Sequence, residues 1–417
     1  MEKTTDTYNA GKQVWERWCD DVCLWAGALM PVGVVIGNMV FEVMVALTGV
    51  VWLSRAAVVR QNPLKTFQRY PLLTPWVVWF LAVMASLVVN GPGSKGWAHD
   101  VVIIRYVIFG MALLDVGERR PMGKYLVRGF MAAVIVASVN TFAAYSIGAD
   151  LLGRPLSRYT GKLGEALRIS GIVSYGVPFF VTWGFLDKNL SKKAKAGILA
   201  ISFLAFAQLL QTRMRTPILA SLGGVLFALL FTSIRGQFSR LGWLLASLLI
   251  VGALAAFQYA GLWDPTNLFY RLYIWKVSWT VFLHHPVFGV GVSSFREAYH
   301  QVAASGAIAP ILAPSGKVLV MPEQTHAHNL ALMLLSSTGV VGFSCFIWLF
   351  VRFCREAFRP AAGWRLGLVG WPVSILVAGL TGENIYYSWY QAMMAFLFVL
   401  AATPYLPEAK QVESAGV

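Results

Sequence analysis

The chain has 417 residues, 57% of them hydrophobic and only 13% charged, with a formal net charge of +15. A soluble globule is excluded, because apolar runs long enough to cross roughly 30 Å of hydrocarbon recur along nearly the whole length. A nucleic-acid partner is also not expected: the positive charge is divided among short loops rather than gathered on one folded face.

The polar stretch 1–21 has no small-residue cleavage site after an isolated apolar core, so no cleaved signal peptide is expected. About twelve spans are predicted from apolar run length: 22–36, 38–53, 72–89, 101–116, 127–147, 171–187, 196–211, 217–233, 241–258, 328–351, 366–381 and 389–405. The first two are short and separated by Gly37 and Asn38, which leaves a re-entrant hairpin as the alternative. Cys19, Cys23, Cys345 and Cys354 show no metal-ligand spacing and are read as packing residues. The fold class is thus an all-α polytopic membrane protein, a single integral-membrane domain over 1–417.

Alternate loops are basic. Lys3, Lys12 and Arg17 precede the first span; Arg55, Arg60, Lys65 and Arg69 follow the second; Arg119, Arg120, Lys124 and Arg128 follow the fourth. The pattern continues with Lys188 to Lys195, Arg235 and Arg240, Arg352 to Arg365, and Lys410. The positive-inside rule then puts both termini in the cytoplasm. Within spans the charges are Glu42, Arg105 and Asp115, which form no evident transport pathway.

The outward loops break the bias, and exceptions of that kind are where function is expected. Loop 148–170 carries Arg154, Arg158, Lys162 and Arg168; the turn near 212–216 carries Arg213 and Arg215; the long segment 259–327 between spans nine and ten carries Arg271, Lys276, Arg296 and Lys317. Thr216 suits a helix N-cap and Pro217 the first helical position, which would put Arg215 just ahead of a helix N-terminus, where free N–H groups favour an anion. The stretch 268–286 has helical period, with Arg271, Trp275 and Trp279 four apart on one face. Its aromatics suit headgroup depth, so it is expected to lie at the outer interface with Arg271 and Lys276 at the level of lipid phosphates. His326, His328 and Asn329 open the tenth span, where a helix N-terminus and nearby arginines would keep the His328 imidazole neutral and usable as a base. Glu383 lies in the last outward loop and could orient an arginine or a sugar hydroxyl. The outward acids are scattered, so the arginines would have to offset the charge of a diphosphate, and a reaction without metal or other cofactor is expected.

Three motifs together resemble the bacterial O-antigen ligase/polymerase superfamily. They are Arg215 in a short turn before a span; Arg271 and Trp275 running into Pro286, Gly289 and Gly291; and His328 and Asn329 followed by Gly339 and Gly342. The resemblance covers roughly residues 200–350. It implies a multi-spanning inner-membrane glycosyltransferase of the GT-C type, working on the periplasmic side among membrane lipids. Its donor would be a glycan on undecaprenyl diphosphate and its acceptor the lipid A–core of lipopolysaccharide. Polymerisation of lipid-linked repeats is the alternative, and a polysaccharide transporter a third. Arg215 and Arg271 match the family's diphosphate-binding arginines and His328 its catalytic histidine. Arg213, Arg154, Arg158, Lys276, Trp275, His326, Asn329 and Glu383 are further expected substrate contacts.

Overall fold

The computed structural model of the protein describes residues 2–63, 65–91, 93, 96–155, 166–234, 265–312, 316, 318–319, 321, 323–359, 362–382 and 385–403. It is a helical bundle: α1 (Glu2–Ile36), α2 (Asn38–Val59), α3 (Lys65–Arg69), α4 (Leu73–Asn90), α5 (Gly96–Val101), α6 (Ile104–Gly117), α7 (Met122–Ile147), α8 (Ala166–Leu186), α9 (Lys192–Thr212) and α10 (Arg215–Ile234). Then come α11 (Pro265–His284), α12 (Phe295–Ala304), α13 (Leu330–Ala357), a 3₁₀ stretch Gly363–Gly370, α14 (Trp371–Thr381) and α15 (Ser388–Ala402). Strand β1 (Ile311–Leu312) pairs antiparallel with β2 (Val318–Leu319). Among the described residues nine helices are long and apolar enough to cross a membrane, and α15 is a shorter apolar helix. The protein is a multi-pass membrane protein.

The first two predicted spans are separate helices, with spanning segments of 26 and 22 residues, so the re-entrant alternative falls. The charged residues before position 22 continue the first helix, and Glu16 and Asp20 reach Arg55 of α2 at 3.7 and 3.2 Å. The run 101–116 becomes the 14-residue α6, and 366–381 begins as the 3₁₀ stretch before α14. The predicted run 241–258 lies outside the described residues.

Charges assigned to the bundle interior are matched. Arg105 sits in the first turn of α6 and pairs with Glu42 at 2.7 Å, while Tyr106 donates its hydroxyl to the same carboxylate at 3.0 Å. At the far end of α6, Arg119 meets Asp20 and Asp115, each at 2.9 Å, and Asp115 also accepts from the Trp52 indole and the Gln61 amide.

One junction sets the position of the site. Helix α13 is broken at Gly339, whose φ of 64° and ψ of −168° depart from helical values. A break at that point frees the carbonyls of residues 336 and 337 and the N–H groups of residues 340 and 341, which is costly away from water. The turn after α11 takes over all four groups. Val290 N–H and Gly291 N–H donate to Ser336 and Ser337 oxygens at 2.9 Å each, and Val340 and Val341 N–H donate to Pro286 and Val287 oxygens at 2.9 and 3.3 Å. Backbones this close exclude side chains. A methyl on Gly339 would lie 2.1 Å from the Val287 oxygen, and one on Gly289 (φ 66°) 2.3 Å from the Ser337 carbonyl carbon. The motif glycines of two distant segments are therefore the two halves of one joint.

Candidate active site

Helix α11 buries Tyr273, Ile274, Val277, Ser278 and Val281, and leaves Trp279 and Lys276 exposed. Its C-terminal turn is fixed to Gly339 by the joint, and its first turns bring Arg271 to the start of α13. The predicted interfacial stretch is thus a helix whose C-terminal turn is fixed to α13.

Helix α10 starts at Arg215, with the Ile218 N–H reaching back to the Met214 oxygen at 3.4 Å. Thr216 and Pro217 therefore lie inside the first turn, and the expectation that they supply the cap and first position is corrected. The α9 C-terminus causes the shift: Arg213 adopts a left-handed conformation (φ 52°) as its C-cap, so the chain re-enters helix two residues later. Arg215 itself is then at the helix start, where the free N–H groups and positive dipole end lie.

Gly382, in the loop after α14, ties these elements together. A methyl there would lie 3.5 Å from Thr216 Oγ1 and 3.8 Å from an Arg271 guanidinium nitrogen. Arg271 stands in the field of Arg215, and burial and that like charge together push its pKa down. Among the described residues Arg271 makes no ion pair. A half-buried guanidinium facing a second arginine favours any anion placed between them.

His328 completes the cluster. Burial, then His326 and then Arg271, lower its pKa to about 3, so the imidazole is neutral at pH 7. Burial dominates, where sequence reasoning had credited the helix end and the arginines. His328 is also one of three non-glycine residues with positive φ among the described residues, at 50°. Such strain concentrates at sites whose geometry the surroundings over-determine. Here the next residue, Asn329, caps α13 by accepting the Leu332 N–H at 3.1 Å. Its side-chain oxygen thus holds the start of the helix.

His326 is buried, and its ring centroid is 3.9 Å from that of His328 at 49°. Its Nδ1 lies 3.1 Å from the Thr325 hydroxyl and 3.3 Å from that of Tyr387. Burial lowers its pKa to about 4.

Of the other expected contacts, Trp275 lies one turn from Arg271, with an indole N–H that is buried and lacks a hydrogen-bond partner among the described residues. Arg213 and Lys276 are exposed, and no described contact links either to the cluster. Arg154 is held elsewhere, on Asp150 at 2.5 Å and on the Ile36 carbonyl at 3.1 Å. Arg158 and Glu383 lie outside the described residues. Sequence reasoning missed Tyr387 and Gly382, and gave Thr216 only a capping role. The tyrosine pair in Tyr386–Tyr387 was a visible signal, but nothing in the sequence pointed to Gly382. A cavity of about 570 Å³ lined by Arg69, Glu118, Glu356 and Arg359 opens at the other end of α13 and shares no residue with this cluster.

Two cations and a neutral base, drawn from three segments far apart in sequence, can bind a phosphorylated ligand and take a proton from a neighbouring hydroxyl. Residues 200–347 match the family model described as O-antigen ligase. The match holds Arg215, Arg271 and His328, while Gly382 and Tyr387 lie beyond it. No curated protein matches the chain.

Proposed function

We propose that the chain is an inverting, metal-independent O-antigen ligase that moves glycan from undecaprenyl diphosphate to a sugar hydroxyl of lipid A–core, with its site on the periplasmic face of the inner membrane. The observation that carries this reading is the convergence of Arg215, Arg271 and a neutral His328. His328 accepts the proton of the acceptor hydroxyl as that oxygen attacks the anomeric carbon. The bond from that carbon to the diphosphate breaks on the opposite face, and the two guanidiniums stabilise the charge left on the departing diphosphate. A single displacement inverts the configuration. Metal independence follows from the arginines carrying the charge that a cation would otherwise offset.

The test is reconstitution of the purified protein with a defined lipid-diphosphate glycan and lipid A–core, with and without chelator. Attachment of glycan to core supports the ligase. Elongation of the lipid-linked glycan with no attachment would replace it with a polymerase, and abolition by chelator would remove the metal-independent mechanism.

A further inference from the structure

We propose that α11 enters the membrane on the His328 side at a slope, with its exposed face seated in the lipid of that leaflet and its C-terminal turn below headgroup level. This replaces the flat interfacial helix expected from the sequence. The placement holds whichever glycan reaction the protein performs.

The end of α4 marks the depth. That helix has 18 residues, ~27 Å at 1.5 Å each, close to the minimum for roughly 30 Å of hydrocarbon, so Asn90 stands at the edge of the apolar layer. Two contacts set α13 beside it. Ser86 donates to the Ser337 carbonyl at 3.0 Å, and further in the Trp79 and Phe346 rings are 5.8 Å apart. Ser337 therefore lies level with Ser86, ~6 Å inside the end of α4. The joint holds Pro286 to Gly291 against residues 336–341, at that depth. Two residues on, the chain has climbed out again, since the Ser293 hydroxyl accepts from the Gly93 N–H at 3.2 Å, past the end of α4. The turn after α11 is the lowest point of the segment. Arg271 acts on His328 at the start of α13, and from there to Gly339 the helix descends by roughly 14 Å along its axis.

The exposed side of α11 matches that slope. Tyr273, Ile274, Val277 and Val281 are turned inward. Facing out, at helical spacing, are Lys276, then Trp279 at 46% exposure, Leu283 at 55% and, in the turn, Val287 at 51%. Their order is an order of depth: an ammonium for phosphates, an indole for the headgroup boundary, aliphatic side chains for acyl carbon. The apolar surface continues onto Val340 and Ile347 of α13, a membrane-spanning helix, so one lipid layer covers both. His284 and His285 are exposed beside Leu283. At the boundary between headgroup and acyl chain, phosphate and ester oxygens can accept their N–H groups.

The test uses the full-length protein in liposomes of phosphatidylethanolamine and phosphatidylglycerol. It is photolabelled in parallel by a phosphatidylethanolamine with a diazirine high on its acyl chain and by a water-soluble diazirine, and labelled residues are located by peptide fragmentation. The acyl probe is expected to mark Leu283 and Val287 several-fold more than Lys276 and more than Arg296 and His300, which are exposed on α12. The soluble probe is expected to give the reverse order. Equal acyl labelling from Lys276 to Val287 would mean a flat helix and overturn the slope. Soluble labelling of Leu283 and Val287 would place α11 outside the lipid, and protection from both probes would mean that a protein partner or a second copy covers it; either result overturns the proposal. No readout depends on turnover, so failure of the transfer assay and failure of this placement are told apart.

Discussion

The two ends of the bundle treat arginine in opposite ways. At the end where α6 stops, Arg55 and Arg119 are brought to Asp20 and Asp115, and the carboxylates also receive an indole and an amide. At the end where α13 starts, Arg271 meets a second arginine and a neutral imidazole, and both His326 and His328 are kept from charging. The first arrangement completes its own electrostatics and so contributes to the fold. The second sets two guanidiniums and a neutral base together in a half-buried place, which favours an anionic ligand.

Variants at the two ends should separate stability from chemistry. The joint serves both, and so gives the largest effect. Gly339→Ala puts a methyl 2.1 Å from the Val287 oxygen at a φ of 64°, and is expected to abolish folded protein after purification. A monodisperse, active Gly339→Ala protein would show that the junction does not position the site. His328→Ala comes next, with an expected loss of ~10²–10⁴-fold in kcat, the usual worth of general-base help, at unchanged Tm. Near-normal glycan transfer by that variant would end the contrast at the site end.

Arg119→Met tests the opposite end. It takes from Asp115 its charged partner while Asp20 keeps Arg55, and a loss of about 1.5–3 kcal/mol in stability is expected, the scale of hydrogen bonds to charged groups, with activity per folded molecule unchanged. Reduced turnover at full stability would contradict the division. Arg271→Lys keeps the charge but loses the planar fork, so a smaller fall in kcat/KM, of roughly tenfold, is expected from the weaker match to phosphate. Equal activity would mean that Arg271 acts only as a distant point charge.

The smallest effect is on pH dependence. The folded pKa values of His326 and His328, about 4 and about 3, lie below the ordinary 6.5. Protonation therefore favours the unfolded chain, so this stability is fully present above pH 6.5 and is lost as pH falls from there toward 4 and below. Tm should drop over that window more in the wild type than in a His326→Asn, His328→Ala double variant. The acid limb of kcat/KM, which reports the free enzyme, should lie below pH 5. A limb centred near 6.5 would show that the imidazole is not desolvated.

The apolar runs were legible because spanning a bilayer needs a fixed length of hydrophobic residues, a local property of the sequence. The arginines at 215 and 271 and the histidine at 328 were legible as loop residues of the wrong charge or at a span mouth. Their meeting was not. The chain between Arg215 and His328 crosses several elements, and loop geometry of that length is not written in spacing. The same limit explains the mistaken cap at Thr216: the left-handed Arg213 ends α9 abruptly, and two-residue shifts of this kind depend on neighbouring packing.

By itself, then, the sequence determined a membrane-spanning helical chain, the residues suited to hold a phosphate, and the glycines that both halves of the joint require. Tertiary structure alone decided that Pro286 to Gly291 replace the missing bonds of α13, that Asn329 serves its helix, that Arg154 belongs to Asp150, and that Tyr387 reaches His326. The first and last of these join segments remote along the chain, while Asn329 and Arg154 bind partners three and four residues away; in each case the energy depends on which groups are left without water once the helices pack.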